Sequence, residues 1–459
     1  MQTKFNVIMI GAGISSLISA YKLKKENPSL SILILEKGNT LDNRKCFITS
    51  GVSDKCLHCH NCAIMNGEAG AGAFSDGKFG ITTEYGGWLT NYLSNTTLIS
   101  LIDEVVSILN NFSDEDIRTK TYLPSDYWKQ KCLQLDLHMK QGKVIHFGTD
   151  GNYKLMSKLL SYLKNELGVI IKPCSEVTDI IINKNSVVTE HNEYTYDNLI
   201  ISPGRSGSKW FQNWCKSNSI IVNNNQVDIG VRVELPRLLW RDISKDIYEP
   251  KIIYRTKQYG DITRTFCFND GGEVVVENTN NVLTVNGHAN AQEEHKTNLS
   301  NFALLSTINF TSPFQNPIDY ATHVSKLANM ITNDSVLVQR FGDLKIGRRT
   351  NEKRIKQNSF EPSLKSAVPG DLSLCLPKRQ LDNIIETLEK LNELIPGTSN
   401  YDTLLYGVEA KYYSARPNFI DDKFHISENI YAIGDGSGVT RSLAQAAAHG
   451  LFVAYDILK

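Results

Sequence analysis

No apolar run in this chain of 459 residues approaches the eighteen or so needed to cross a bilayer. A helical membrane span is therefore not expected. There is no excess charge of either sign, with 49 basic and 49 acidic side chains. That balance removes the basic field of a nucleic-acid binder. Cysteine is too sparse for a disulfide scaffold: nine residues, an odd number, in a chain long enough for two or three full-sized cores. Internal repeats and low-complexity segments are missing as well. The first apolar run, FNVIMIGAG, ends in a glycine turn with no small-residue cleavage site after it. The reading expects no signal peptide and a cytoplasmic chain.

What is present begins with that run. KFNVIMIGAGISSLISAYKLKKE reads as a strand, a tight turn and a helix. Gly11, Gly13 and Ser16 occupy the G-x-G-x-x-G/A positions. The first permits the turn, the second lets backbone approach a pyrophosphate, and the third must be small for helix–strand packing. The helix N-terminus then faces the phosphates. A second strand, LSILILE, ends at Glu36. A carboxylate there suits a ribose hydroxyl pair and disfavours a 2′-phosphate, so the dinucleotide is FAD-like or NAD-like.

At the far end, NIYAIGDGSGVTRSLAQAAAHG is a strand running into Gly434-Asp435 and then an alanine-rich helix. This pattern resembles the second FAD motif of glutathione-reductase-type flavoproteins. The resemblance implies that Asp435 binds the ribityl chain and that Ser442 and Leu443 open a helix facing the flavin. YTYDNLIISPGRSGS, with Ser202, Pro203 and Gly204, is similar to the turn that returns beside the dinucleotide in that family. Val177 matches the adenine clamp.

More of the chain resembles the branch known as uncharacterised FAD-dependent dehydrogenases. The stretches are GEAGAGAFSDGKF, FGTDGNYKLM, GVRVE, FCFNDGGEVV, GDLKIGRR, YGVEAKYYSARP and AIGDGSGVTRSL. By this resemblance Lys37, Ala71, Gly72, Ser75, Asp76 and Lys78 join the FAD contacts. The YGVEAKYYSARP segment implies Glu409, Tyr412, Tyr413 and Arg416 as catalytic contacts near the flavin. The implied fold is α/β. A discontinuous, three-layer Rossmann-like FAD domain with a parallel sheet comes from 1–90, 145–222 and 400–459. A helical excursion occupies 91–144, and an inserted mixed α/β substrate domain covers 226–395. That insertion opens with VDIGVRVELP, whose alternation suits a strand.

The expected function is FAD-dependent oxidoreduction of a small organic substrate by hydride transfer at flavin N5. A monooxygenase or oxidase, or a flavin redox sensor or electron carrier working through cysteines, are the alternatives. No second G-x-G-x-x-G follows a strand between 150 and 400, so NAD(P)H would have to bind transiently. Cys56, Cys59 and Cys62, with Cys46 nearby in sequence, leave three readings open: a zinc or iron–sulfur site, a dithiol relay, or reduced packing residues. Cys132, Cys174, Cys215, Cys267 and Cys375 read as small buried hydrophobes. The basic segment Lys345–Lys356 reads as a solvated loop or as a site for an acidic substrate or electron donor.

Overall fold

The computed structural model describes residues 3–53, 56–114, 121–279, 281–290, 293–311, 313–314 and 316–459. Two large sheets organise the chain. In the first, strands Ile430–Ala432, Glu193–Ile201, Lys4–Ile10, Ile32–Leu35 and Ile170–Lys172 run parallel in that order. His425–Ser427 adds an antiparallel edge. Strands Lys4–Ile10 and Ile32–Leu35 are apolar on both faces because both faces are covered, as parallel sheets require. Val7, Met9, Ile32 and Ile34 face one core, while Phe5, Ile8, Ile10, Leu33 and Leu35 face another.

On the first face lie helices Ile14–Glu26 and Leu443–Ile457, each following a glycine turn. Their contact is close enough to leave no room for a side chain at Gly450. A Cβ there would sit 2.0 Å from the Ser15 carbonyl oxygen, and the Ser19 hydroxyl donates to the Gly450 carbonyl at 2.5 Å. The two glycine turns are thereby held side by side.

The second, cap sheet is mostly antiparallel. Its order is Val368–Pro369, Leu337–Arg340, Leu404–Tyr412, Val227–Pro236, Leu299–Ile308, Ile262–Asn269, Lys251–Arg255 and Leu137–Lys140. Strand Val227–Pro236 has period two. Val227, Ile229, Val231, Val233 and Leu235 enter the apolar core, and Asp228, Arg232 and Glu234 occupy the opposite face. That opposite face is also sealed from solvent, with all three charged residues fully buried.

The boundaries differ from the expected ones in two places. Leu404–Tyr412 lies in the cap sheet, paired with both Leu337–Arg340 and Val227–Pro236, so the cap extends beyond 395. The segment 91–144 is not a helical excursion but is shared. Helix Asn95–Asn110 sends Leu98, Leu101, Ile102 and Val105 into the nucleotide-side core. Strand Leu137–Lys140 instead pairs with Lys251–Arg255 at the cap edge. Long-range pairing overrides what the local sequence shows. Among the described residues no helix is long and apolar enough to cross a membrane.

Gly450→Ala tests the helix contact. Forcing a methyl against Ser15 is expected to cost about 1–3 kcal/mol, read as a lowered thermal midpoint with no new exposed surface charge. An unchanged midpoint would mean that the helices part without cost.

Candidate functional site

Three polypeptide ends meet at the carboxyl edge of the parallel sheet, where open α/β folds bind ligands. Gly11 has φ +95°, and a Cβ would lie 2.3 Å from the Ser202 carbonyl oxygen, so only glycine fits this crossing. Gly13 differs: a Cβ built there meets nothing within 4 Å. It caps helix Ile14–Glu26 and faces open space, where a diphosphate would meet the helix N-terminus. The Ser15 and Ser202 hydroxyls hydrogen-bond at 2.7 Å and fasten the two turns together.

Glu36 ends the second strand. One carboxylate oxygen accepts from the Gly38 and Gly67 N–H groups at 2.8 and 2.9 Å, and the other from Ala12 at 2.9 Å. An ionised carboxylate offers about four acceptor sites, so one is left on the oxygen beside Ala12 for a ribose hydroxyl. The loop after Gly67 is stapled by Arg44. Its guanidinium donates to the carbonyls of Ala63, Ile64, Glu68 and Gly70 at 2.6 to 2.8 Å. Burial pushes the Arg44 pKa down to about 10. Asn152 donates to the Gly72 carbonyl at 2.6 Å and fixes the next turn.

These pieces line one cavity of about 970 Å³, at the upper end of ordinary ligand sites. Gly11, Gly13, Glu36, Lys37 and Val177 lie along it, followed by Ala71, Gly72, Ser75, Asp76 and Lys78. Ser202, Pro203, Gly204, Asp435, Ser442 and Leu443 complete this wall. Ser16 and Gly434 do not line it. Ser16 is fully buried and packs behind the turn, and Gly434 sits behind Asp435.

Asp435 accepts from the Thr440 hydroxyl at 2.8 Å, and burial raises its pKa. Ser442 caps helix Leu443–Ile457, its hydroxyl accepting from Gln445 N–H at 3.2 Å. His449 supports the turn from behind: its Nδ1 accepts the Gly434 N–H at 3.2 Å. Burial pushes its pKa down to about 3, so the ring is neutral.

The opposite wall comes from the cap, with Glu249, Lys251, Arg264, Phe266, Cys267, Lys411 and Tyr413. Of the four residues expected near the flavin, only Tyr413 lines the cavity. Glu409 is fully buried behind Lys411, with its oxygens held by Arg232 at 2.7 and 2.8 Å and by Lys411 at 2.8 Å. The Tyr412 hydroxyl meets Ser325 at 3.1 Å, and burial pushes its pKa up to about 12. Arg416 lies in a two-residue strand paired with Val222–Asn223. Alternation turns Tyr412 away from Lys411 and Tyr413, whereas Glu409 shares their parity and is shut off from the cavity by Arg232 and Lys411.

The Tyr413 hydroxyl donates to Asp228 and accepts from Arg264 at 3.2 Å. Arg264 also donates to both Asp228 oxygens at 2.6 and 2.9 Å. Burial pushes the Tyr413 pKa up to about 12. The phenol therefore keeps its proton and cannot serve as a base near neutrality. Sequence reasoning missed Asp228 and Arg264. The available signal was charge within otherwise apolar strands.

Cys267 corrects the reading of isolated cysteines as buried packing. It lines the cavity at φ +44°, on an irregular stretch of its strand. Cys174 is exposed, while Cys132, Cys215 and Cys375 are buried as expected.

The cysteine loop reaches the other end of the cavity from Tyr413. His60 and Asn61 line it beside Lys37, whose carbonyl accepts from Asn61 at 3.1 Å. Asn278 of the cap donates to Cys56 Sγ at 3.1 Å, and His58 pairs with Asp334 at 2.6 Å. Cys59 is exposed, and burial pushes the Cys62 thiol pKa up. Among the described residues no group of three His, Cys, Asp or Glu side chains is placed to hold a metal ion. The basic segment lies away from the cavity. Lys345 pairs with Glu389 and Arg348 with Asp343, each at 2.6 Å.

Two outcomes are expected. Gly13→Ala is expected to cost the flavin-free protein only about 1 kcal/mol, the penalty of alanine as a poorer N-cap than glycine, and to leave it folded. It weakens FAD binding about tenfold or more, read as flavin absorbance per protein alongside thermal melting. Equal flavin content would place the diphosphate elsewhere. The second concerns His449. Its depressed pKa means the neutral ring's contribution is present above about 6.5 and is lost as pH falls toward about 3. Protonation removes the acceptor of the Gly434 N–H, so flavin fluorescence is released across this window. His449→Gln should flatten that release, and identical profiles would dismiss the link.

The chain is similar to several known proteins. An uncharacterized protein of Clostridium beijerinckii is 21% identical over 481 residues, covering 100% of this chain and 81% of that one. Among solved structures, glycine oxidase from Geobacillus kaustophilus is similar with a TM-score of 0.41 at 11% identity, covering 100% of this chain and 95% of that one. L-proline dehydrogenase from P. horikoshii gives 0.41 at 11% identity, with 99% and 93% covered. Residues 227–412, which supply most of the cap sheet, match the family model described as FAD-dependent protein, C-terminal domain-like, and FAD is the cofactor this chain carries.

Proposed function

We propose that the protein is an FAD-dependent oxidoreductase of the glutathione-reductase-type group. It acts as a dehydrogenase or reductase on a small organic substrate by hydride transfer at flavin N5. One observation carries the reading: a single cavity runs from Glu36, past Gly13 and Asp435, to the cap residues Tyr413 and Arg264. A dinucleotide laid along it would end beneath the cap.

Bound FAD supplies the redox chemistry, accepting or donating a hydride. The chain supplies position and field. The N–H groups after Gly13 would hold the diphosphate, Glu36 a ribose hydroxyl, and Asp435 the ribityl hydroxyls. The capped N-terminus of helix Leu443–Ile457 presents a positive dipole end, favourable to negative charge by about 0.3–1 kcal/mol. The cap covers the far end. Tyr413 Oη holds its proton toward Asp228.

The cysteine loop reaches the Lys37 end of the cavity. This supports direct reaction at the flavin over relay through Cys56, Cys59 and Cys62.

Asp435→Ala is expected to fold with a cooperative melt and to purify largely colourless. A fully yellow variant would refute the ribityl contact. Anaerobic reduction followed by mixing with oxygen separates the enzyme classes. Slow reoxidation supports a dehydrogenase or reductase, and fast reoxidation an oxidase or monooxygenase.

A further inference from the structure

We propose that the cap end of the cavity takes a substrate bearing a single carboxylate, gripped by Arg441 together with Arg264. This rests on the FAD reading, which puts the reacting ring at that end.

The argument is an accounting of charge. Lys78 pairs with Asp76 at 2.8 Å, Lys251 with Glu249 at 2.7 Å, Lys411 with Glu409 at 2.8 Å and Arg264 with Asp228 at 2.6 Å. Arg441 also lines the cavity. Among the described residues no carboxylate lies within ion-pair distance of it. Its guanidinium lies over the Tyr413 ring at 3.6 Å and makes one hydrogen bond, to the Tyr412 carbonyl at 3.3 Å. Most of its five N–H donors are therefore left for a ligand.

Arg264 adds a second donor on the same phenol. One terminal nitrogen, Nη2, serves Asp228 and the Tyr413 hydroxyl, while its Nε is buried and has no hydrogen-bond partner in the protein. Two guanidinium groups thus flank Tyr413, one over the ring and one at the hydroxyl. Planar forks of this kind suit the two oxygens of a carboxylate. Arg441 has Asp435 only at longer range as a counter-charge, and such a weakly compensated cation suits a monoanion better than a dianionic phosphate. The adjoining wall is aromatic. Arg264 lies over Phe266 at 4.7 Å, Lys251 over Phe266 at 5.1 Å and over Tyr85 at 4.7 Å. The body of the substrate is accordingly apolar or aromatic.

Benzoate is the probe, with benzamide as its neutral counterpart and phenylphosphonate as the dianion. Binding is followed by calorimetry and by perturbation of the bound-flavin spectrum. Benzoate is expected to bind about tenfold or more tightly than either analogue. Arg441→Met should weaken benzoate by about tenfold or more, with an unchanged flavin-to-protein ratio. Arg441→Lys should fall between. Benzamide or phenylphosphonate binding as well as benzoate would overturn the proposal. So would Arg441→Met binding benzoate like the parent, or losing its flavin, which would assign the arginine to the cofactor. If the parent protein takes up no FAD, the cofactor reading fails separately. Calorimetry on that flavin-free protein then still decides whether Arg441 holds benzoate.

Discussion

Glu36 is the tie on which the cofactor end depends. Its carboxylate gathers N–H groups from the first glycine turn, its own strand end and the loop arriving at Gly67. Hydrogen bonds to an ionised group are worth about 1.5–3 kcal/mol each, and among the described residues no other side chain bonds to all three segments. Arg44 completes the arrangement by gathering carbonyls where Glu36 gathers N–H groups. An irregular loop is thereby held close enough to a strand edge to shape a binding cavity.

The cap solves a different problem. A sheet face carrying Asp228, Arg232 and Glu234 would be stable facing water, yet here it is buried. Burying such charges costs several kcal/mol per ion unless every group is paired. Arg232 meets that condition through Glu409, the Cys267 carbonyl, Asn286 and Asn301. The pair is structural, and it fixes the Cys267 carbonyl where the strand departs from regular pairing. The cap end of the cavity consequently sits against a rigid polar layer, a form of preorganisation.

How much was legible in the sequence follows from how local each feature is. The glycine turns, Glu36 and Asp435 were readable because each lies within a few residues of the strand that presents it. Arg264, Asp228 and the pairing of Arg441 with Tyr413 were not, because those partners meet only after the cap sheet closes. The alternation of VDIGVRVELP correctly gave a strand, but period two cannot say whether the polar face meets water or a second layer. Glu409 and Tyr412 were drawn in by proximity to Tyr413 in sequence; the pleat turned Tyr412 away, and Arg232 and Lys411 cover Glu409. The cysteine spacing left a ligand set, a relay and plain packing open, and among the described residues the loop runs from the cap to the Lys37 end of the cavity without bringing three ligands together.

The outermost strand of the cap has a consequence for inheritance. The family match begins at Val227 and ends at Tyr412, but the sheet in that region is finished by Leu137–Lys140, which comes from outside it. The recurring unit and the folding unit are therefore not the same piece of chain. Cut to its matched residues, the cap would expose the edge of Lys251–Arg255, a template for pairing with another copy. The early part of the chain thus does two jobs: it helps build the dinucleotide side, and it chaperones the cap by closing an edge the cap cannot close for itself.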